Sequence, residues 1–338
     1  MSATRTHLGG EGLHWTLQRL KDALWGLLRV TRDTLAQLLK NPLSTVGLFL
    51  LILFATIALF APVFAPPERP NNPYEIPQRE IVRPFQAPQG NDVYETTPTP
   101  PSTNHIFGTT QDYYDIYYTL VWGARNAFKL GILIVLSTLM IGILVGAVAA
   151  YFGGWVDEIL MRIVEIFLVF PFLLATLVLT TILGRGLDKV IVAFIVFGWP
   201  GYARFVRGEV LHVKENAYVE AARAAGAGSG RIILRHVLPN AIYPVLVLAS
   251  LDIGNIVLSA SALSFLGLIP EGFADWGQLI GFSRNWILGT VQNPLEYWYT
   301  IFYPGLAISL FVLGWNLLGD AVRDIFDPRL RGSRSRSQ

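Results

Sequence analysis

Six stretches of this chain run for about twenty residues with little or no charge, the length an α-helix needs to cross the hydrocarbon core of a bilayer. In lipid every backbone N–H and C=O must find its partner within the protein, so runs of this kind fold as helices. Val46–Phe64, Leu130–Phe152 and Tyr297–Gly319 contain no charged residue. Ile163–Leu183 contains Glu165, and Ala241–Leu268 contains Asp252 and Asn255. Val190–Val206 is short, is interrupted by Gly198, Pro200 and Gly201, and ends near Arg204, so it is expected to be a broken or kinked span. The fold class that follows is an all-α integral membrane protein with six transmembrane helices. Composition agrees: 52% of residues are hydrophobic and 15% charged, against roughly 25% charged in soluble proteins.

The positions of the basic residues orient the spans. Lys and Arg number 18 on one set of alternate segments and 8 on the other. Basic residues near span ends are retained in the cytoplasm, which puts both termini inside and segments 65–127, 183–189 and 266–299 outside. No cleavable signal precedes the first span, which is expected to serve as an uncleaved anchor. A net charge of +2 gives no reason to expect nucleic acid, and a chain with no cysteine and five dispersed histidines offers neither a thiol nucleophile nor a metal-ligand cluster.

The expected organisation is a cytoplasmic amphipathic segment over 1–42, a first transmembrane helix over 43–65 and an extracytoplasmic proline-rich loop over 66–126. A five-helix core over 127–322 and a basic cytoplasmic tail over 323–338 complete it. Within 13–40, leucines at helical spacing alternate with Arg19, Lys21, Arg29 and Arg32, which suits a helix on the membrane surface or one packed on a partner subunit. Residues 66–104 hold ten prolines with almost no apolar periodicity and are read as an extended, solvated linker, with a binding segment as the alternative, because proline-rich composition alone carries no recognition information. Tyr113, Tyr114, Tyr117, Tyr118 and Trp122 read as an aromatic belt at the membrane interface.

Loop 207–239 is longer than a turn between spans requires. Its alanine-rich stretch Asn216–Ala225 favours helix and is stopped by Gly226, and a second helical stretch, Gly230–Leu238, is expected to end at Pro239. Two short helices meeting at a glycine make a projection suited to a protein partner.

Glu220-Ala221-Ala222, three residues, then Gly226, with Leu238-Pro239 beyond, resembles the cytoplasmic EAA motif of bacterial ABC importer permeases. Arg235–Asn240, Leu263-Ser-Phe-Leu-Gly267, Gly123-Ala-Arg125, Pro304–Ile308, Asn316–Asp320 and Asp327-Pro-Arg329 are similar to motifs of the dipeptide/oligopeptide/nickel permease family, and of its C-type subunit in particular. The resemblance covers about residues 40 to 331. It implies a type I ABC importer permease in a bacterial or archaeal plasma membrane. That permease works by alternating access, for peptides or else for oligosaccharides or chelated nickel. It implies a second permease subunit, two ATPase subunits that bind ATP and Mg, and an extracytoplasmic solute-binding protein as partners. Carried over by position, Asn216, Ala217, Tyr218, Glu220, Ala221, Ala222, Arg223 and Gly226 form the coupling helix that contacts an ATPase.

The chain itself has no P-loop: Gly226, Gly228 and Gly230 are not followed by Gly-Lys-Ser/Thr, so neither a catalytic nor a nucleotide site is expected here. Asp252, inside a span, is open to an interhelical hydrogen bond, as with Asn255, or to an ion relay. Arg162 and Glu165, three apart, are expected to pair. The competing architecture is a self-sufficient secondary transporter or channel built on Asp252 and the broken fourth span.

Overall fold

The computed structural model describes residues 38–326 apart from 40, 78–96, 104, 112, 287 and 290–292. The expected amphipathic helix over 13–40 falls almost wholly outside that description, as does the tail 327–338. Helix α1 (Pro42–Leu59) starts on Asn41, whose side-chain oxygen accepts the Leu43 amide at 3.0 Å, with Pro42 in the first turn where its missing N–H is not needed. A four-residue turn, α2 (Ala61–Phe64), follows.

Helix α3 (Ile116–Phe152) is 37 residues long, about 55 Å and far more than a bilayer core requires. It begins well before Leu130, and its first turn is capped by Asp115, which accepts the Tyr118 amide at 2.9 Å. The expected aromatic belt is largely a set of anchors instead. Tyr118 and Trp122 are buried; their polar ends donate to the carbonyls of Pro73 (2.7 Å) and Ala65 (2.9 Å), and Tyr117 donates to that of Phe64 (3.1 Å). These carbonyls follow the first span in a chain poor in N–H partners, and the aromatic donors satisfy them. The first part of the proline-rich loop is thereby strapped down. The Ile76 amide donates to Gly272 and the Tyr74 carbonyl accepts from Ala274, both at 2.7 Å, so that Glu75 and Phe273 form an antiparallel bridge.

The break expected in the fourth span lies in the third. Helices α4 (Gly154–Leu168) and α5 (Phe172–Leu183) meet at an 85° bend around Pro171. The fourth, α6 (Leu187–Lys214), runs unbroken through Pro200. Packing explains the difference. Val169, Phe170 and Pro171 are exposed, so nothing holds the chain straight where Pro171 removes a hydrogen bond, whereas Pro200 is buried in a helix packed along its length.

After α6 come α7 (Ala217–Ala224) and α8 (Ser229–Ile232), then a π-helical turn over Ile233–Val237 that passes directly into α9 (Leu238–Phe265). Pro239 therefore does not end a helix. It sits in the first turn of α9, and the wider π turn before it absorbs the mismatch. Beyond α9, α10 (Trp276–Phe282) and a 3₁₀ turn over Arg284–Trp286 lead to α11 (Tyr299–Phe326). Among the described residues, five helical segments are long and apolar enough to span, and there are six if the bent pair α4–α5 crosses as one broken span.

Helices have no hydrophobic drive to associate within lipid, so close contact depends on shape. Gly142 and Gly146 of α3 lie against Tyr202, Ala203 and Val206 of α6, where an added Cβ would overlap the facing atoms. Around this seam, Ile134, Phe194, Val210, Val245 and Leu263 join α3, α6 and α9 into the main core. A second cluster seats Phe54 of α1 edge-on to Phe311 of α11, centroids 5.4 Å apart, and Trp276 of α10 closes it from outside.

Candidate functional site

Between α6 and α9 the chain forms a short projection. Asn216, in extended conformation, turns it out of α6; its side-chain amide donates to the Val213 carbonyl at 3.0 Å. Helix α7 then runs for eight residues and closes in a Schellman arrangement: the Gly226 amide reaches Arg223 O at 3.0 Å and the Ala227 amide reaches Ala222 O at 3.1 Å. Gly226 has φ +81°, a left-handed conformation that a side chain would strain. A Cβ built there meets nothing within 4 Å, so backbone conformation alone calls for glycine.

One side chain fixes the orientation of α7. Val219 is fully buried in the main core with Val213, Ile232 and Val237, and this turns the opposite face outward. Asn216, Ala217, Tyr218, Glu220, Ala221, Arg223 and Gly226 are exposed, and Ala222 is partly covered. The residues singled out from sequence thus form one continuous surface, with small side chains at 217, 221 and 222 permitting close approach. The Glu220 side chain makes no hydrogen bond or ion pair among the described residues and is free to accept one from outside. Sequence reasoning did not select Val219, although an apolar residue within an alanine-rich helix was signal enough.

The projection is stiffly attached. Arg207 of α6 grips Asp157 of α4 with two hydrogen bonds of 2.6 Å, a planar fork that fixes direction as well as distance. Lys214 donates to the Ala150 carbonyl at 2.7 Å, placing a cation at the C-terminal end of α3. Nothing in the sequence pairs residues fifty apart, so this clamp had no legible signal. The pair Arg162–Glu165 forms at 3.5 Å, and Asn255 approaches Asp252 at 3.5 Å on the same helix. A push on α7 would therefore be passed to α6 at one end and to α9 at the other.

Residues 142–332 match the family described as the binding-protein-dependent transport system inner membrane component, and residues 30–88 match the N-terminal TM domain of oligopeptide transport permease C. The dipeptide transport system permease protein DppC of Alkalihalophilus pseudofirmus is 35% identical over 301 residues, 89% of this chain and 90% of that protein. The oligopeptide transport system permease protein OppC of Bacillus subtilis is 31% identical over 305 residues, 90% of this chain and 91% of that protein. An inward-facing structure of the MetNI methionine ABC transporter shares the fold. It has a TM-score of 0.50 and 21% identity, covering 62% of this chain and 97% of that one.

Proposed function

The chain belongs to the binding-protein-dependent transport system inner membrane component family, and from that premise we propose that the exposed face of α7 is where an ATP-hydrolysing partner subunit drives this permease. The protein is a multi-span helical permease subunit of an ABC importer. In our reading it sits in a bacterial plasma membrane with both termini in the cytoplasm. It pairs with a second permease subunit and receives peptides from an extracytoplasmic binding protein, as the names of its relatives suggest. ATP and Mg belong to two partner ATPase subunits.

The observation that carries this reading is the combination of an anchored Val219, a left-handed Gly226 and an outward face of small residues around Glu220. Such a surface suits docking in a cleft. Because α7 is linked to α6 at Asn216 and to α9 through α8 and the π turn, closure of the ATPases on binding ATP would move two helices of the core. ATP and the loaded binding protein would each favour the outward-open state by binding it more tightly than the inward-open one.

The test is Gly226→Val in the assembled importer. A β-branched residue at positive φ costs about 1 kcal/mol or more and redirects the end of α7. The variant is expected to reach the membrane at wild-type abundance yet lose transport, with ATPase subunits lost on purification or hydrolysing ATP regardless of ligand. Wild-type transport per assembled complex would refute the coupling role.

A further inference from the structure

Helices α1 and α11 pack closely at one end of the bundle and part at the other. Toward Pro42, Gly47 lies against Leu317 and Gly314 against Leu50 and Leu51, where an added Cβ would overlap or crowd the facing atoms. Toward Leu59 and Tyr299, a groove of about 480 Å³ opens between them, with Leu53, Ile57 and Phe64 on one wall and Tyr303, Leu306 and Leu310 on the other. Helix α3 contributes Tyr117 and Leu120, and every lining side chain is aliphatic or aromatic.

Two observations indicate what fills this groove. Its lips at Leu53, Phe64 and Leu306 are exposed, and they run on into exposed Ile52, Phe60 and Val63 on one side and Phe302 and Leu313 on the other. The opening therefore belongs to the apolar surface that two membrane-spanning helices present to hydrocarbon. At the Tyr299 end stands an aromatic ledge. Phe107 stacks on Tyr303 with ring centroids 4.3 Å apart, and Trp298 packs on Tyr303 at 5.6 Å and on Phe302 at 5.4 Å. Trp and Tyr collect where hydrocarbon meets headgroups, because one end of the side chain is apolar and the other polar. The Tyr303 hydroxyl makes no hydrogen bond among the described residues.

Size separates the possible occupants. Tyr303 to Leu310 covers about 10 Å of helix, and a further helix of that length, about 10–12 Å across, would need roughly twice the volume of the groove. A single hydrocarbon chain, about 4 Å across at van der Waals contact, fits. Left empty, the walls would forgo dispersion contacts on one side, and within lipid it is packing of this kind that keeps α1 on α11.

We propose that the groove is a binding site for one acyl chain of a membrane phospholipid, whose glycerol backbone lies at the aromatic ledge. The site requires only that the chain spans a membrane, and it goes beyond the coupling role of α7. Held between α1, α3 and α11, the acyl chain completes the packing of the first span on the bundle.

The test uses the assembled importer in nanodiscs of phosphatidylethanolamine and phosphatidylglycerol, doped with phosphatidylglycerol that carries a diazirine near the end of one acyl chain. Ultraviolet adducts are mapped by mass spectrometry. Adducts at Leu53 and Leu310 are expected to exceed those at other exposed span residues, Ile132 and Val178 among them, by about ten-fold. Ala307→Trp fills the groove from within and Leu306→Trp reaches across it from the exposed lip. Each should lower the groove adducts about ten-fold and leave those at Ile132 and Val178 unchanged. ATP hydrolysis stimulated by the binding protein, measured on the same particles, reports assembly. Leu306→Trp alters an exposed side chain and carries the test if Ala307→Trp does not assemble. The proposal is overturned if wild type shows no enrichment in the groove, or if the assembled variants keep it. It is equally overturned if a benzophenone on Leu306→Cys joins another protein subunit in place of lipid, which would make the groove a subunit contact.

Discussion

At Gly146 the absence of one Cβ sets how closely α3 and α6 approach, because a methyl group there would overlap the Ala203 carbonyl and come within 2.9 Å of Val206 Cβ. Gly146→Leu is expected to cost about 1–3 kcal/mol by overpacking and to lower the thermal midpoint in detergent by several degrees. Gly230→Ala, whose new Cβ meets nothing within 4 Å, should not. The spacing of Gly142 and Gly146 is visible in the sequence, but the helix that would use it is not. Asp275 gives a pH-dependent case. It caps α10 by accepting the Gly277 amide at 2.9 Å and the Gln278 amide at 3.3 Å. Burial pushes its carboxyl above the ordinary range, against the opposing pull of the Ser264 hydroxyl and those two amides. Since the folded protein holds the proton more tightly than the unfolded chain, the stability from this group is full below the unfolded value and declines as pH rises through the folded one. Asp275→Asn keeps an accepting oxygen without the charge. Its thermal midpoint relative to wild type should therefore climb as pH rises from the ordinary carboxylate range through the raised one; a difference independent of pH would contradict this.

Among elements, each of the five unbroken candidate spans of the described residues coincides with an apolar run in the sequence, because twenty apolar residues have no other stable form in lipid. The effect of each proline was not legible in the same way. Pro171 breaks a helix and Pro200 does not, and the distinction lies in whether neighbouring helices pack the affected turn, which no local pattern records. The reverse holds at Gly226. There an alanine-rich helix followed by glycine predicted a left-handed stop from local chemistry alone, and φ +81° is what the chain adopts. The clamp between α4 and α6 is a prediction at this scale. The Arg207 and Asp157 side chains are 33% and 18% exposed, so solvent screens the pair only in part. Asp157→Asn should cost about 1 kcal/mol, a shift of about 2 °C in the thermal midpoint. It should also uncouple the movement of α4 from α6, seen as a transport rate that falls more than ATP hydrolysis does. A wild-type ratio of transport to hydrolysis would make the clamp purely structural.

Across the whole molecule, α3, α6 and α9 pack into one core, the α7 projection links α6 to α9, and the loop after α1 is strapped to α3 by Tyr118 and Trp122. The chain contains no cysteine, so single cysteines report without background. Thr103→Cys, at an exposed bend in the proline-rich loop, should react with an impermeant maleimide in intact cells, and Ser229→Cys, at the start of α8, should react only after the membrane is opened. The opposite pattern would invert the topology. The arrangement also explains why the α7 projection was more legible than the core: α7 is specified by neighbours in sequence, whereas the Arg207–Asp157 clamp joins residues that become neighbours only when the helices pack. The central claim is that the exposed face of α7 touches an ATPase subunit. It is tested most directly by a photoreactive benzophenone on Ala221→Cys in the assembled, hydrolysing importer. The account predicts an ultraviolet-dependent adduct between permease and ATPase subunit, with a yield that differs between nucleotide-free and ATP-bound states. A complex that hydrolyses ATP in response to its binding protein yet gives no such adduct from position 221 would contradict it.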